Sequence, residues 1–137
     1  MTSSSARHEI ENALHRYAIG YDDGNFSLVE NSFTADAVLS MRIAGGELIG
    51  PFEGIEQIMK LMRDSAHSQD DQRRHVTTNV IIDANDDSAT SVSYLTIFSA
   101  RGGSLTALST GKYEDELVRT ADGWKLSKRH IALDLPY

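Results

Sequence analysis

The feature that most constrains this chain is a change in the spacing of its apolar residues near His75. Before that residue, apolar side chains recur every three or four positions, which is typical of amphipathic helices. From His75 onward they alternate with polar side chains, which is typical of strands that bury one face. The order of the two patterns predicts an α+β fold in which helices precede a long sheet.

Two helices are predicted near the beginning of the chain. Apolar residues between Ile10 and Tyr21 keep a helical period, and the serines at 3–5 offer an N-cap. The turn sequence Asp22-Asp23-Gly24 is expected to end this helix. A second, short helix is predicted where Ser27 and Glu30 have the spacing of a capping box.

A hairpin and a third helix are predicted next. Residues 37–43 alternate between apolar and polar, and Gly45-Gly46 is expected to turn the chain back into a second strand at 47–49. Pro51 is expected to end that strand, because proline cannot donate a hydrogen bond to a neighbouring strand. The third helix then begins near Gly54, where a helical period returns.

The polar residues at 64–73 are expected to form a solvated loop, after which four long strands follow. The predicted strands are 75–83, 90–100, 105–118 and 124–133. Short turns rich in Asn, Asp and Gly separate them and predict an antiparallel meander. We expect an antiparallel or mixed sheet that curves like a cone around the three N-terminal helices, in a single domain of residues 1–137 with one deep pocket.

Composition and charge narrow the classes of partner. The formal net charge is −7, which repels nucleic-acid phosphates, so a small-molecule substrate is the better expectation. The chain has no cysteine, which excludes disulfides and thiolate zinc sites and fits a reducing compartment. No segment approaches the roughly 20 apolar residues of a membrane helix, so we expect a cytoplasmic protein. No metal site is predicted, since His8 and His15 lie two helical turns apart.

Two polar residues are candidates for acid–base chemistry. Asp22 follows the apolar face of the first helix, so its carboxylate could reach the pocket rim. His75 shares a strand face with Thr77 and Asn79, whereas the opposite face, which begins with Val76, is more apolar and is expected to pack on the core. Imidazole is mostly neutral yet basic at pH 7. A carboxylate on its other nitrogen would fix the tautomer and stabilise the imidazolium, so we pair His75 with Asp22.

Structural alternatives stand beside these assignments. Asp22 could belong to nothing more than a polar turn, and a lone strand histidine is more often structural than catalytic. Arg129 alternates with His130 in the last strand. If Arg129 faces inward, it could hold Asp22 ionised or bind a developing oxyanion. It could equally be an exposed arginine on a charged surface strand.

Five further side chains are expected to shape the pocket and contact the substrate. They are aromatic, thioether or amide groups: Tyr21, Phe33, Met41, Asn79 and Tyr94. Aromatic residues of this kind could also be ordinary core. One methylene in such a pocket changes selectivity by roughly 1–3 kcal/mol, so the sequence does not define the substrate.

Five short motifs occur in the order and spacing of a known family. They are Tyr17-x-x-x-x-Asp22, Phe33-Thr34-Ala35-Asp36-Ala37-Val38, Gly54-Ile55, Arg74-His75-x-x-Thr78-Asn79 and Gly123-Trp124-Lys125-Leu126-x-x-Arg129. Together they resemble the SnoaL-like group of the fold shared by nuclear transport factor 2, scytalone dehydratase and ketosteroid isomerase. The resemblance spans nearly the whole chain.

The resemblance implies a site and an activity. It is closest to hexachlorocyclohexane dehydrochlorinase and scytalone dehydratase, whose catalytic His–Asp pairs match His75 and Asp22. Arg129 looks like the active-site arginine of the dehydrochlorinase, and Tyr21-Asp22 resembles a pair in the dehydratase. The implied function is a cofactor-free lyase or isomerase that acts on a small hydrophobic, polyketide, aromatic or steroid-like molecule. The implied assembly is a homo-oligomer, either a dimer or a trimer.

Two other functions stay open at this point. The chain could be a non-catalytic ligand-binding module or a small subunit that stabilises a larger complex, because a fold does not determine function. Hydrolysis of an epoxide is a third possibility. It would require several carboxylates around a water, and the sequence places only Asp22 for that role.

Overall fold

The computed structural model describes residues 2–137, and this range contains three helices and six strands. In chain order they are α1 (Ser4–Asp22), α2 (Phe26–Glu30), β1 (Phe33–Ile43), β2 (Ile49–Glu53), α3 (Ile55–His67), β3 (Gln72–Ala84), β4 (Ser88–Arg101), β5 (Ser104–Thr120) and β6 (Gly123–Leu133). None of these helices is long and apolar enough to cross a membrane. The predicted α+β class is confirmed.

The six strands form one curved, mixed sheet in the order β2-β1-β6-β5-β4-β3. Within the described residues β1 and β6 run parallel, and every other neighbouring pair is antiparallel. Strands β3 to β6 form the predicted meander. The helices pack on one face of this sheet, with α1 against β3 and β6 and α3 against β1 and β2.

α1 is capped and packed as its sequence predicts. The Ser3 hydroxyl accepts a hydrogen bond from the Ala6 N–H at 3.1 Å. The apolar stripe faces the sheet, where Ile10 is 0% and Leu14 is 1% exposed. Burying a side chain of this size stabilises the fold by roughly 1.5–3 kcal/mol. This packing directs the last turn of α1, which holds Asp22, toward β3.

The cap of α2 differs from the prediction. Asn25 is the N-cap, and its Oδ1 accepts the Leu28 N–H at 3.3 Å. Ser27 lies inside the helix, where its carbonyl accepts the Asn31 N–H at 3.0 Å. The predicted capping box is therefore wrong. Asn caps helices at least as well as Ser, so the earlier residue takes this position.

β1 and β2 form the predicted hairpin, with different limits. β1 begins at Phe33, before the predicted residue 37. β2 contains Pro51, so this proline does not end the strand. β2 lies at the edge of the sheet, and its register with β1 shifts between Leu39 and Met41. Proline is tolerated there because one side of an edge strand needs no hydrogen-bond partner.

The solvated loop predicted for residues 64–73 is mostly replaced by regular structure. α3 continues to His67, and β3 begins at Gln72. The polar residues at the end of α3 lie on its exposed side, where Lys60 and Asp64 form an ion pair at 2.6 Å. Their polarity indicated exposure to solvent, which an amphipathic helix provides as well as a loop does.

A bulge in β3 exchanges the faces of this strand. The register with β4 is interrupted between Thr78 and Ile81, and Asn79 has a left-handed φ of 55°. Before the bulge His75 points inward, whereas Val76 points outward and is 38% exposed. The prediction that the face of Val76 packs on the core is therefore wrong for this part of the strand.

Candidate active site

A cavity of about 210 Å³ lies between α1, α3 and the inner face of the sheet. Its polar lining consists of His75 with tyrosine, serine and glutamine side chains, and no described carboxylate lines it. Its other walls are apolar side chains from both layers, including Met41, Leu61, Met62, Leu95 and Ile131. Within residues 2–137 no group of three or more His, Cys, Asp or Glu is arranged to hold a metal ion. Polar and apolar side chains share this lining, so the cavity suits a compact molecule with both kinds of surface.

Asp22 and His75 are in direct contact beside this cavity. The Asp22 Oδ1 lies 2.6 Å from the His75 Nδ1, and the Asp22 Oδ2 accepts the backbone N–H of His75 at 2.7 Å. Both side chains are nearly buried, with exposures of 6% for Asp22 and 7% for His75. One carboxylate therefore holds both the ring and the main chain of His75. The structure brings the two residues together, and their catalytic roles stay predictions.

The contact depends on how α1 docks against the start of β3. The Gln72 side chain donates a hydrogen bond to the Asp22 carbonyl at 3.0 Å and so attaches the end of α1 to β3. Strand alternation from Gln72 then turns Arg73 and His75 toward the helices. Because Asp22 and His75 are 53 residues apart in sequence, their contact requires the assembled fold.

The contact also determines which ring nitrogen of His75 is available for chemistry. A carboxylate accepts hydrogen bonds, so the hydrogen-bond pattern assigns the ring hydrogen to Nδ1, next to Asp22. The Nε2 then has a free lone pair, and His75 lines the cavity. Asp22 would stabilise a positive charge that develops on the ring. This arrangement can take a proton from a bound molecule and return it.

Tyr21 packs against the imidazole from the side. The ring centroids of Tyr21 and His75 are 5.1 Å apart in an edge-to-face arrangement, and the Tyr21 hydroxyl donates to Gln69 at 3.1 Å. Burial raises the pKa of Tyr21 to about 12, so its hydroxyl stays protonated at neutral pH. Tyr21 and Met41 both line the cavity, as their sequence positions predict.

Arg129 faces inward but does not line the cavity. Its guanidinium donates two hydrogen bonds to Asp115, at 2.8 and 2.9 Å, and both side chains are fully buried. Burial alone would lower the pKa of Arg129, but the charge and hydrogen bonds of Asp115 outweigh it and raise that pKa. The guanidinium carbon lies 4.4 Å from the ring centre of Tyr17 and 3.7 Å from that of Tyr113. The expectation that Arg129 contacts Asp22 or a substrate oxyanion is not met, because its charge is already paired.

Three other expected substrate contacts lie away from the cavity. Phe33 is a core residue, 3% exposed, whose ring packs edge-on against Tyr17 with centroids 5.8 Å apart. Asn79 lies in the β3 bulge and is exposed to solvent. Tyr94 is 55% exposed, because side chains alternate along β4 and the inward set is the one that includes its neighbour Leu95. The expectation that Phe33, Asn79 and Tyr94 line the pocket is corrected accordingly.

Several cavity residues were not singled out from the sequence. Tyr113 lines the cavity, and the alternation of β5 already placed it on an inward face with Asp115. Gln69 belongs to the polar stretch that was expected to be a solvated loop, and the longer α3 brings it to the cavity. Tyr137 forms another wall, with the Arg73 guanidinium 5.0 Å from its ring centre. No periodic pattern covered Tyr137, so the sequence carried no signal for it.

The SnoaL-like domain profile matches residues 2–130, which is nearly the whole chain. The chain belongs to the SnoaL-like family. This agrees with the resemblance found in its motifs. No curated protein matches this SnoaL-like domain in sequence.

Several solved structures share the fold of this SnoaL-like domain. Aln2 from a Streptomyces species is 24% identical and has a TM-score of 0.83, over 98% of this chain and 94% of Aln2. A protein of Catenulispora acidiphila in complex with S-DNPA is 27% identical and has a TM-score of 0.81, over 96% of both chains. A Streptomyces avermitilis protein of the NTF2-like family, whose description suggests a dehydratase, is 18% identical. Its TM-score is 0.77, over 96% of this chain and 97% of its own.

Proposed function

We propose that this SnoaL-like domain is a cofactor-free lyase or isomerase in which His75 acts as general base and Asp22 orients it. The observation that carries the proposal is the 2.6 Å contact between the two side chains beside the cavity that His75 lines. Proton abstraction requires a base held in one tautomer and within reach of a bound molecule. The dehydratase description of the Streptomyces avermitilis neighbour is consistent with this chemistry.

The proposed reaction starts from a small molecule with a C–H bond beside an electron-withdrawing group. The His75 Nε2 takes the proton, and the electron pair of the C–H bond forms a new double bond. In an elimination the imidazolium returns this proton to a departing hydroxyl, which leaves as water. In an isomerisation the proton returns to a different carbon. Asp22 stabilises the imidazolium between the two proton transfers.

Deuterium exchange tests the proton abstraction before a physiological substrate is known. The protein is incubated in D₂O with a panel of small ketones and β-hydroxy ketones, and NMR follows loss of the acidic C–H signal, elimination and double-bond migration. General-base catalysis contributes roughly 10²–10⁴-fold, or roughly 3–5 kcal/mol of the barrier. We expect the His75→Gln variant to lose exchange by that factor.

The matched control is a histidine on the opposite side of the sheet. The His130 Nδ1 lies 2.8 Å from the Ser40 hydroxyl, and neither residue lines the cavity. The His130→Gln variant should therefore exchange at the wild-type rate. Exchange at the wild-type rate in the His75→Gln variant would contradict the proposal.

The other functions have less support. A binding module or stabilising subunit needs no contact between Asp22 and His75, and such a contact exists. If the wild-type protein binds members of the ketone panel but exchanges none of them, the binding role becomes the better account. Epoxide hydrolysis would need carboxylates around a water, and no described carboxylate lines the cavity.

A further inference from the structure

The cavity has a polar end where α3 finishes. Ser65, Ser68 and Gln69 line the cavity there, whereas the lining residues from β1 and β6 are all apolar. The chain keeps turning beyond His67, because the Ser68 N–H donates to the Ser65 carbonyl at 3.3 Å and the Gln69 N–H donates to the Ala66 carbonyl at 3.1 Å. These tight turns keep the three polar side chains at one end of the cavity.

The orientation of the Gln69 amide is set by Tyr21. The Gln69 Oε1 accepts the Tyr21 hydroxyl at 3.1 Å. Burial raises the pKa of Tyr21 to about 12, so the phenol keeps the hydrogen that it donates. The hydrogen-bond pattern therefore assigns Oε1 to the side of Tyr21 and leaves the Nε2 available. Within residues 2–137 no group accepts a hydrogen bond from this Nε2.

The Gln69 Nε2 differs from the hydroxyls around it because it can only donate. Ser65, Tyr113 and Tyr137 also line the cavity, and their hydroxyls can either donate or accept after a rotation. Such hydroxyls do not distinguish an acceptor from a donor on a bound molecule. An amide held by its oxygen does, because a donor that faces Nε2 gains no hydrogen bond and leaves Nε2 unpaired.

We propose that Gln69 is a specificity-determining residue whose Nε2 donates a hydrogen bond to an uncharged oxygen of the substrate. This inference rests on the proposed function, because it takes the cavity lined by His75 as the substrate site. Tyr21 contacts His75 with its ring and Gln69 with its hydroxyl. Gln69 therefore meets a part of the substrate other than the carbon that loses its proton.

The rest of the lining defines the chemical class of this substrate. Among residues 2–137 no lysine or arginine lines the cavity, so no such side chain there neutralises an anionic group. The apolar side chains of β1 and β6 suit a hydrocarbon part. The substrate is therefore a neutral molecule that carries an ether or hydroxyl oxygen beside an apolar body.

Tetrahydropyran and cyclohexane test this hydrogen bond, because the two rings share a shape and differ in that an ether oxygen replaces a CH₂ group. NMR titration of methyl groups that line the cavity gives both affinities for the wild type and for Gln69→Glu at neutral pH. The carboxylate of the variant still accepts the Tyr21 hydroxyl but cannot donate. The affinity for tetrahydropyran relative to cyclohexane should fall about five- to tenfold in Gln69→Glu. In the wild type, a proton resonance of the Gln69 side-chain NH₂ should move downfield with tetrahydropyran and not with cyclohexane.

Two variants check the position and the orientation of the amide. Tyr21→Phe lets the Gln69 amide turn, so the affinity ratio should fall part of the way toward that of Gln69→Glu. Gln57→Glu is the matched control, because Gln57 lies on α3 and its Oε1 accepts the Glu53 N–H at 2.9 Å, but it does not line the cavity. The Gln57→Glu variant should keep the wild-type ratio.

The outcomes separate this inference from the proposed function. An affinity ratio in Gln69→Glu equal to that of the wild type would overturn the assignment of Gln69, and so would a ratio that falls in Ser65→Ala instead. His75→Gln should lose deuterium exchange and keep the wild-type affinity ratio. Undiminished exchange in His75→Gln, together with a lowered ratio in Gln69→Glu, would refute the general-base role alone and leave the assignment of Gln69 in place.

Discussion

Asp22 makes two contacts with a single residue, one to the ring and one to the main chain of His75. The main-chain contact holds the start of β3 against the end of α1. The ring contact selects the tautomer of His75 that carries its hydrogen on Nδ1. The two effects can be separated, because an amide has the shape of a carboxylate and lacks its charge. The neighbouring Asp23 offers a comparison, since its carboxylate lies on the surface, 3.6 Å from Arg74.

The Asp22→Asn variant should exchange substrate deuterium more slowly than the wild type by roughly 10²-fold or more. The amide cannot stabilise the imidazolium, and its NH₂ group favours the other tautomer of His75. NMR of the exchange reaction gives the rate, and the ¹⁵N shifts of the His75 ring give the tautomer. The Asp23→Asn variant should match the wild type. If Asp22→Asn keeps both the wild-type rate and the Nδ1–H tautomer, the orienting role of Asp22 is wrong.

Arg129→Met should destabilise the fold by roughly 3–5 kcal/mol, because it leaves Asp115 as an uncompensated buried charge. Adding Asp115→Leu to Arg129→Met should restore much of that loss, since an apolar pair leaves no buried charge. Urea denaturation measures both differences. Lys128→Met is the control, because the ion pair of Lys128 with Glu116 is exposed. A single Arg129→Met variant as stable as the wild type would refute the structural role given to the pair.

The buried Asp22–His75 and Asp115–Arg129 pairs differ in how far the sequence could predict them. The Asp22–His75 pair was predictable because strand alternation left His75 free to face inward and family motifs matched both positions. The partner of Arg129 was not predictable. Asp115 lies opposite Arg129 only through the register of β5 and β6, which shifts between Glu116 and Leu117. No local pattern reports where such a shift occurs.

At the scale of elements, periodicity predicted helices and strands well and irregular backbone poorly. The amphipathic stripe of α1 and the alternation of β4, β5 and β6 extend over enough residues to be unambiguous. The bulge in β3 depends on one residue, Asn79, whose left-handed conformation leaves no trace in the apolar pattern. Because the bulge reverses the faces of β3, missing it also misplaced Asn79 relative to the pocket.

Asn79→Val should destabilise the protein by roughly 1–2 kcal/mol, because a β-branched residue is strained at a left-handed φ. Asn79→Gly should change stability far less, since glycine adopts this conformation freely. Urea denaturation of the two variants and the wild type measures the comparison. Equal stability of the Val and Gly variants would show that residue 79 does not need a left-handed conformation.

At the scale of the molecule, the helices cover one face of the sheet and leave the other face open. That outer face includes Tyr94, 55% exposed, and Val76, 38% exposed. Strand patterns predicted the meander, the curved shape and the layered order of the fold. They did not predict that β1 joins the sheet parallel to β6, because pairing between distant strands has no local signature.

We expect the protein to form a homo-oligomer through this outer face, since the apolar side chains of Val76 and Tyr94 are exposed on its neighbouring strands β3 and β4. Light scattering should give a mass that is a multiple of the 15.1 kDa chain. Tyr94→Asp should shift the mass toward a single chain. Ile19→Asp, at an exposed apolar residue of α1, should leave it unchanged. A wild-type mass equal to one chain would rule this expectation out.

The position of β6 has a consequence for synthesis on the ribosome. β6 is the last of the six strands along the chain, yet it lies between β1 and β5. A nascent chain that still lacks β6 therefore exposes two unpaired strand edges, one on β1 and one on β5, and unpaired edges promote aggregation. The six-stranded sheet is complete only when β6 inserts between β1 and β5, which were synthesised earlier. Folding of this chain is thus a late event that depends on contacts between its distant parts.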